Sequence, residues 1–215
     1  RYDKRELDCL DVAEVDALLA APDRTTWIGR RDHMVLVLAL QTGLRVSELT
    51  HLTIADVELG PGAHVRCHGK GRKDRATPMT RQTVALLRQW LTERSGAAED
   101  PVFPTSRGGP LSVDAVQWLV AKHAKIAGLS KASLTAKVVS PHVLRHTCAM
   151  NLLDAGVDSA VIAIWLGHES SQTTQTYIHA SMTLKEKALA RTAPPNTKPG
   201  RYTPPDKLLE FLTNL

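Results

Sequence analysis

The sequence predicts a mainly helical protein with one small antiparallel β-sheet, an α+β fold. Three observations lead there. Apolar residues recur at helical spacing in most segments between residues 11 and 190. Strand-like character is confined to "AHVRCHG" and "RATPM", which flank a basic turn. A glycine, a proline or a capping residue marks most of the junctions between these segments.

The elements follow in chain order. "DVAEVDALLAA" is a helix in which Asp11 caps, Glu14 sits three residues on, and Val12, Val15, Leu18 and Leu19 share a face. "RDHMVLVLALQTG" is a heavily apolar helix stopped by Gly43. "LRVSELTHL" restarts helically and gives way to "ADVEL". The sheet is expected near residues 54 to 79, with "KGRKD" as its turn. Helical periodicity returns in "TVALLRQWL" and in "SVDAVQWLVAKHAKIAG", where Ser112 caps. Residues 130 to 139 form a lysine-bearing connection. Then "SPHVLRHTCAMNLLDAG", residues 140 to 156, places Ser140 as cap, Pro141 at the first helical position and Gly156 at the end. "DSAVIAIWLG" is a short helix closed by Gly167, and "SQTTQTYIHA" and "TLKEKALA" are helical too. Five of the twelve prolines fall in residues 191–205, a tether that cannot be regular helix. It leads to residues 206–215, an amphipathic helix with Leu208, Phe211, Leu212 and Leu215 on one face.

Composition narrows the function classes. The 215 residues are 43% hydrophobic and 23% charged, enough to bury a core, and aromatics at 4% leave that core to Leu, Val, Ile and Ala. A formal charge of +5 suits a polyanionic partner. Cysteines at 9, 67 and 148 are odd in number and widely spaced, which points to a reducing compartment and a cytoplasmic location. The longest apolar run, "MVLVLAL", is too short to span a bilayer, so no membrane partner is expected. No signal peptide opens the chain, which starts at Arg rather than Met, as a fragment or processed chain would.

The helix over 140–156 carries His142, Arg145 and His146 at its entrance, beside an apolar stripe of Val143, Leu144, Ala149, Leu152 and Leu153. Two histidines four apart share a helical face, as metal ligands do. Here, however, Val-Leu-Arg separates them, and a guanidinium beside His146 opposes a metal cation. Arg145 lies three residues after His142, so the two meet one anion from adjacent turns at the positive end of the helix. That arrangement fits a phosphate better than a metal; for His146 alone, the competing reading is a packed core histidine. In "HVRCH", strand alternation sends His64 and His68 one way and Cys67 the other, so a zinc set does not converge. "GKGRKDR" holds two glycines and four cations but lacks P-loop spacing. Lys70, bracketed by Gly69 and Gly71, has the backbone freedom to reach a phosphate, while Arg72, Lys73 and Arg75 read as a solvated hairpin tip. "QTGLRVSEL" places Arg45 at the mouth of a helix after a glycine turn, and "WLGHESSQTTQTYIHA" places His168 after another glycine, with Tyr177 nine residues on. Together, arginines, histidines, a lysine and a tyrosine at glycine or proline hinges suit phosphoryl transfer.

Four segments, "TGLRVSEL", "GKGRKDR", "PHVLRHTCAMNLLDAG" and "WLGHESSQTTQTYIHA", resemble the boxes of the tyrosine recombinase (phage integrase) superfamily, in that family's order, and the match runs from about residue 8 to 190. The resemblance implies that residues 1–190 form a recombinase catalytic domain, followed by a Pro-rich linker at 191–205 and a helix at 206–215 that packs on a neighbouring copy or on its own domain. The preceding DNA-gripping domain usual in the family is expected to be absent. The resemblance makes Tyr177 the nucleophile, Arg45 and Arg145 ligands of the scissile phosphate, His142 and His168 their neighbours, and Lys70 the hairpin lysine. Cys148 stands where an aromatic is common, a departure expected to affect packing rather than chemistry.

Chemistry is consistent with these roles. A phenol that loses its proton near pH 10 needs a base or a strongly positive site, and His142 is the candidate base. Two guanidiniums clamp non-bridging oxygens pairwise, each supplying roughly 3 kcal/mol in the transition state. Lys70 would protonate the departing 5′-oxygen and His168 would hydrogen-bond the phosphate. Glu48, one turn beyond Arg45, is expected to hold that arginine. The implied reaction is site-specific DNA cleavage and rejoining through a 3′-phosphotyrosine, without metal, cofactor or small-molecule substrate. The expected partners are double-stranded DNA and further copies of the chain in a tetrameric synapse with C-terminal helix exchange. Three competing functions are DNA relaxation like that of a type IB topoisomerase, a non-enzymatic DNA-binding regulator, which would leave Tyr177 without purpose, and, third, a zinc hydrolase.

Overall fold

The computed structural model describes residues 9–68 and 74–167. The hairpin tip, the expected helices over 171–180 and 183–190, the Pro-rich linker and the 206–215 helix lie outside the described residues. Seven α-helices are described: α1 (Val12–Ala20), α2 (Trp27–Thr42), α3 (Val46–His51), α4 (Arg81–Arg94), α5 (Val113–Ala127), α6 (Pro141–Asp154) and α7 (Ser159–Leu166). The strands β1 (Val57–Glu58), β2 (His64–His68) and β3 (Asp74–Pro78) form an antiparallel sheet in the order β1-β2-β3. Short 3-10 turns cover Ile54–Asp56 and Ala132–Ala136, so the 130–139 connection is itself partly helical.

The capping residues read from sequence act as such. Asp11 and Glu14 form a reciprocal capping box on α1. Ser112 accepts from Ala115 N at 3.0 Å, and Ser140 accepts from Val143 N with Pro141 at the first helical position. The sheet gains a third strand that the sequence left unassigned, because β1 is only two residues long, too short to show a period. Helix α2 begins at Trp27, earlier than expected. Thr26 caps Gly29 N at 3.0 Å, and the Arg30-Arg31-Asp32 run that hides the helical pattern is absorbed by packing. Arg30 reaches Glu93, and buried Arg31 binds Asp32 and the Pro104 carbonyl.

Helix α2 is the spine of the core. Met34, Val35, Leu36, Leu38, Ala39 and Leu40 are all buried, so it is covered on most of its circumference, with α1, α4 and α6 against it. Leu144 and Ala149 of α6 and Ile162 and Leu166 of α7 are fully buried. Helix α6 packs on α2 and α7 packs on α6, which sets the end of α2 at Gly43 against Leu166 at the end of α7 and Cys148 in the body of α6.

Candidate active site

Gly43 ends α2 in the left-handed conformation, at φ +64°, and turns the chain directly into Arg45 at the cap of α3. The turn is tight: a Cβ on Gly43 would stand 2.6 Å from Leu166 Cδ2 and 3.1 Å from Cys148 Sγ. Cys148 is buried in this contact and burial pushes its thiol up to about 12, which makes it a packing residue. Gly167 ends α7 with the same geometry, at φ +64°. Trp165 fastens the two ends together, its indole N–H donating to the Thr42 carbonyl at 3.0 Å.

A helix C-terminus leaves carbonyls without intrahelical partners and carries a partial negative charge. Three arginines converge on the carbonyls that end α7. Arg75 Nε donates to Trp165 O at 3.1 Å, Arg145 Nη2 to Leu166 O at 2.6 Å, and Arg45 Nη2 to Gly167 O at 2.7 Å. Arg145 also donates through Nη1 to Gly43 O at 2.6 Å, bridging the ends of α2 and α7 while itself buried. Arg45 is more open, with 41% of its side chain exposed.

Glu48 is the carboxylate of the cluster. It accepts from Arg45 N at 2.7 Å and from Arg45 Nη1 at 3.1 Å, as the sequence led us to expect. Its shorter side-chain bonds go elsewhere, to Arg75 Nη1 at 2.6 Å and Nη2 at 2.8 Å in a bidentate pair. Burial alone would raise the Glu48 pKa, but hydrogen bonds from Arg75 and Arg45 and their charges hold it below the usual carboxylate value. Arg75 is the converse case. Burial disfavours its charge, and Glu48 more than offsets that. Among the described residues, three guanidiniums against one carboxylate leave an excess of two positive charges at the α7 end.

Arg75 corrects the reading of the hairpin as a solvated tip, because only 11% of its side chain is exposed. The register explains why. Cys67 pairs with Arg75 and Val65 with Thr77 across β2 and β3, and Val65, Cys67 and Thr77 are buried. Alternation therefore turns Arg75 inward. The same pleat leaves His68 outward, so the trio His64, Cys67 and His68 does not converge. Among the described residues, no group of three or more His, Cys, Asp or Glu side chains is placed to hold a metal ion.

At the start of α6, His142 is exposed and its ring meets that of His146 edge-on, with centroids 4.0 Å apart. His146 is half-buried. Burial first, then the charges of His142 and Arg145, push its pKa down to about 4, so its ring is neutral near pH 7. Of the six residues expected in the site, Arg45 and Arg145 come together on adjacent carbonyls, and His142 stands on the first turn of the helix that carries Arg145. Lys70, His168 and Tyr177 lie outside the described residues; His168 directly follows Gly167, and Lys70 belongs to the loop between β2 and β3.

The phage integrase family model matches residues 8–183. The chain is 53% identical over 215 residues to a putative integrase/recombinase, y4rC, of Sinorhizobium fredii, covering 100% of this chain and 65% of that protein. It is 38% identical over 179 residues to tyrosine recombinase XerD of Pseudomonas putida, covering 80% of this chain and 57% of that one. The chain thus spans less than two thirds of the length of these curated relatives. Its fold is similar to a crystal structure of XerA recombinase, with a TM-score of 0.72 at 28% identity over 87% of this chain and 66% of that one. It is similar also to XerH site-specific recombinase bound to a palindromic difH substrate in a post-cleavage complex, with a TM-score of 0.72 at 26% identity over 86% of this chain and 53% of that one. Sequence, fold and the boxes around Arg45 and Arg145 agree, and the chain belongs to the phage integrase family.

Proposed function

We propose that this chain is the catalytic part of a site-specific recombinase that cleaves and rejoins double-stranded DNA through a 3′-phosphotyrosine intermediate. The observation that carries this reading is the pair of guanidiniums, Arg45 and Arg145, fixed on consecutive carbonyls at the α7 end, from which the chain runs on to His168 and Tyr177. XerH, similar in fold, is a site-specific recombinase bound to a palindromic difH substrate in a post-cleavage complex, and a palindromic substrate supports duplex DNA as the substrate class here.

In this scheme Arg45 and Arg145 bind the non-bridging oxygens of one phosphodiester and stabilise the charge that grows as it becomes five-coordinate. The Tyr177 hydroxyl attacks phosphorus, and His142 takes its proton. The bond to the 5′-oxygen breaks, and Lys70 supplies the proton that makes a 5′-hydroxyl. His168 donates a hydrogen bond to the phosphate. A 5′-hydroxyl from a second duplex reverses these steps and exchanges strands. The bond energy is conserved in the tyrosyl ester, so no external energy source enters.

The same reading assigns residues 1–190 to the catalytic domain and the 206–215 helix, on its 191–205 tether, to contacts between copies in a tetrameric synapse. Deleting 206–215 is then expected to weaken synapsis and spare single-site cleavage; equal loss in both rejects the assignment. The chemistry is tested by incubating the full-length protein with a pool of nicked duplexes of randomised sequence, from which a cleaved strand diffuses away. A covalent adduct on the Tyr177 peptide, lost in Tyr177→Phe, is the expected result. An adduct that survives in Tyr177→Phe contradicts the scheme.

A further inference from the structure

Arg75 has no part in the scheme above, yet it binds both oxygens of Glu48 and closes on the end of α7. Glu48 is 8% exposed, and a carboxylate so buried is costly unless a cation stays beside it. Among the described residues its bonded cations are Arg75, at 2.6 and 2.8 Å, and Arg45, at 3.1 Å. The two differ in exposure, 11% of the side chain for Arg75 against 41% for Arg45. The buried guanidinium takes the carboxylate, and the open one keeps the looser hold. Without Arg75, the buried charge of Glu48 would fall to Arg45 alone, in direct competition with a phosphate. Arg75 also donates to Trp165 O at 3.1 Å, and a Cβ on Gly167 would meet its Nη1 at 2.9 Å, so it lies flat against the last residue before His168.

We propose that Arg75 is a positioning residue: it carries most of the Glu48 charge, so that Arg45, bonded to the same carboxylate only at 3.1 Å, is left for the DNA phosphate, and it fixes the α7 end that leads into His168 and Tyr177. The inference rests on the recombinase reading above. It differs from a plain packing role in one respect: the harm done by losing Arg75 comes from the Glu48 charge and is relieved by removing that charge.

Single-turnover cleavage of the nicked duplexes tests it in the full-length protein, with wild type, Tyr177→Phe, Arg75→Met and the double variant Arg75→Met/Glu48→Gln. We expect Arg75→Met to slow cleavage at saturating DNA by roughly 10- to 100-fold while the half-saturating DNA concentration moves by less than about threefold. The double variant should recover about tenfold over Arg75→Met, a non-additive pair. Arg75→Met within about twofold of wild type, or a double variant no faster than Arg75→Met, overturns the inference and leaves the recombinase reading intact. A wild-type protein that forms no adduct at all overturns both. If Arg75→Met does not fold, Arg75→Lys carries the comparison, since it keeps a charge on Glu48. A folded Arg75→Lys protein that cleaves within about tenfold of wild type supports the role, and one that is inert overturns it.

Discussion

Arg45 and Arg145 donate to consecutive carbonyls, Gly167 and Leu166, although they stand a hundred residues apart in the chain. Neither position is set by its own helix alone. The C-terminal carbonyls of α7 act as the template on which the two guanidiniums are aligned, and those carbonyls are themselves held by Trp165 and Arg75. Among the described residues Arg145 donates twice at 2.6 Å, from separate nitrogens to the ends of separate helices. A lysine carries its three donors on one nitrogen and lacks the planar fork that spans these two carbonyls from separate nitrogens. Arg145→Lys is expected to lower stability by about 1–2 kcal/mol and cleavage by roughly 100-fold, read from thermal unfolding and single-turnover kinetics. Unchanged cleavage in the lysine variant would show that the fork is not needed.

The turn at Gly43 is equally constrained. Its φ of +64° disfavours a side chain, and the added Cβ of Gly43→Ala would press on Leu166 Cδ2 at 2.6 Å. We expect a loss of about 2–4 kcal/mol in denaturant unfolding, together with slower cleavage, because Leu166 carries the carbonyl that Arg145 binds. Stability within about 0.5 kcal/mol of wild type would mean that the α7 end relaxes freely.

Much of this arrangement is legible in the sequence, and the reason differs by residue. Gly43, Gly167, Ser140 and Pro141 announce the helix ends because turn and cap chemistry is local. The box resemblance locates Arg45 and Arg145, but no local pattern says that they share a helix end, since that depends on how α6 and α7 pack on α2. Arg75 escaped because it sits beside three other cations of a hairpin tip, and charge alone reads as solvated. The signal was present in the pleat: counting alternation through Thr77 and across to Cys67 turns Arg75 inward. The start of α2 escaped for a related reason, as Arg30, Arg31 and Asp32 are satisfied by partners remote in sequence or by each other.

Away from the site, Glu14 is 1% exposed and is bound by Lys137 Nζ at 2.7 Å, Ser133 Oγ at 2.7 Å and Asp11 N at 2.9 Å. Burial works to raise its pKa, but these bonds hold it below the ordinary value of 4.5. Its contribution to stability is therefore present above that value and lost as pH falls through the lower folded one. Lys137→Met strands the carboxylate and should cost about 3 kcal/mol near pH 7, whereas Lys137→Met/Glu14→Gln should regain most of it. Chemical denaturation of both variants checks this; equal losses would show that the charge is not the cause.

His146 gives a second pH dependence. Its folded pKa, pushed down to about 4 mainly by burial, lies below the ordinary value of 6.5. Between those values the unfolded chain binds a proton that the folded chain refuses, so stability falls as pH drops through that window and is insensitive to this group above it. Ring resonances of His146 followed by NMR should not titrate from about pH 8 down to about pH 5. A midpoint near the ordinary histidine value would contradict the burial assigned to this ring.

In the proposed reaction Arg45 and Arg145 act on the charge of one scissile phosphate. The most direct measurement compares cleavage of an ordinary phosphodiester with cleavage of a neutral methylphosphonate at the same position, in wild type and in Arg145→Ala. Replacing a non-bridging oxygen by methyl removes the charge that the guanidinium serves. The defect of Arg145→Ala, roughly 100- to 1,000-fold on the diester, is expected to shrink at least tenfold on the methylphosphonate. An equal defect on both substrates would contradict that action on the charge.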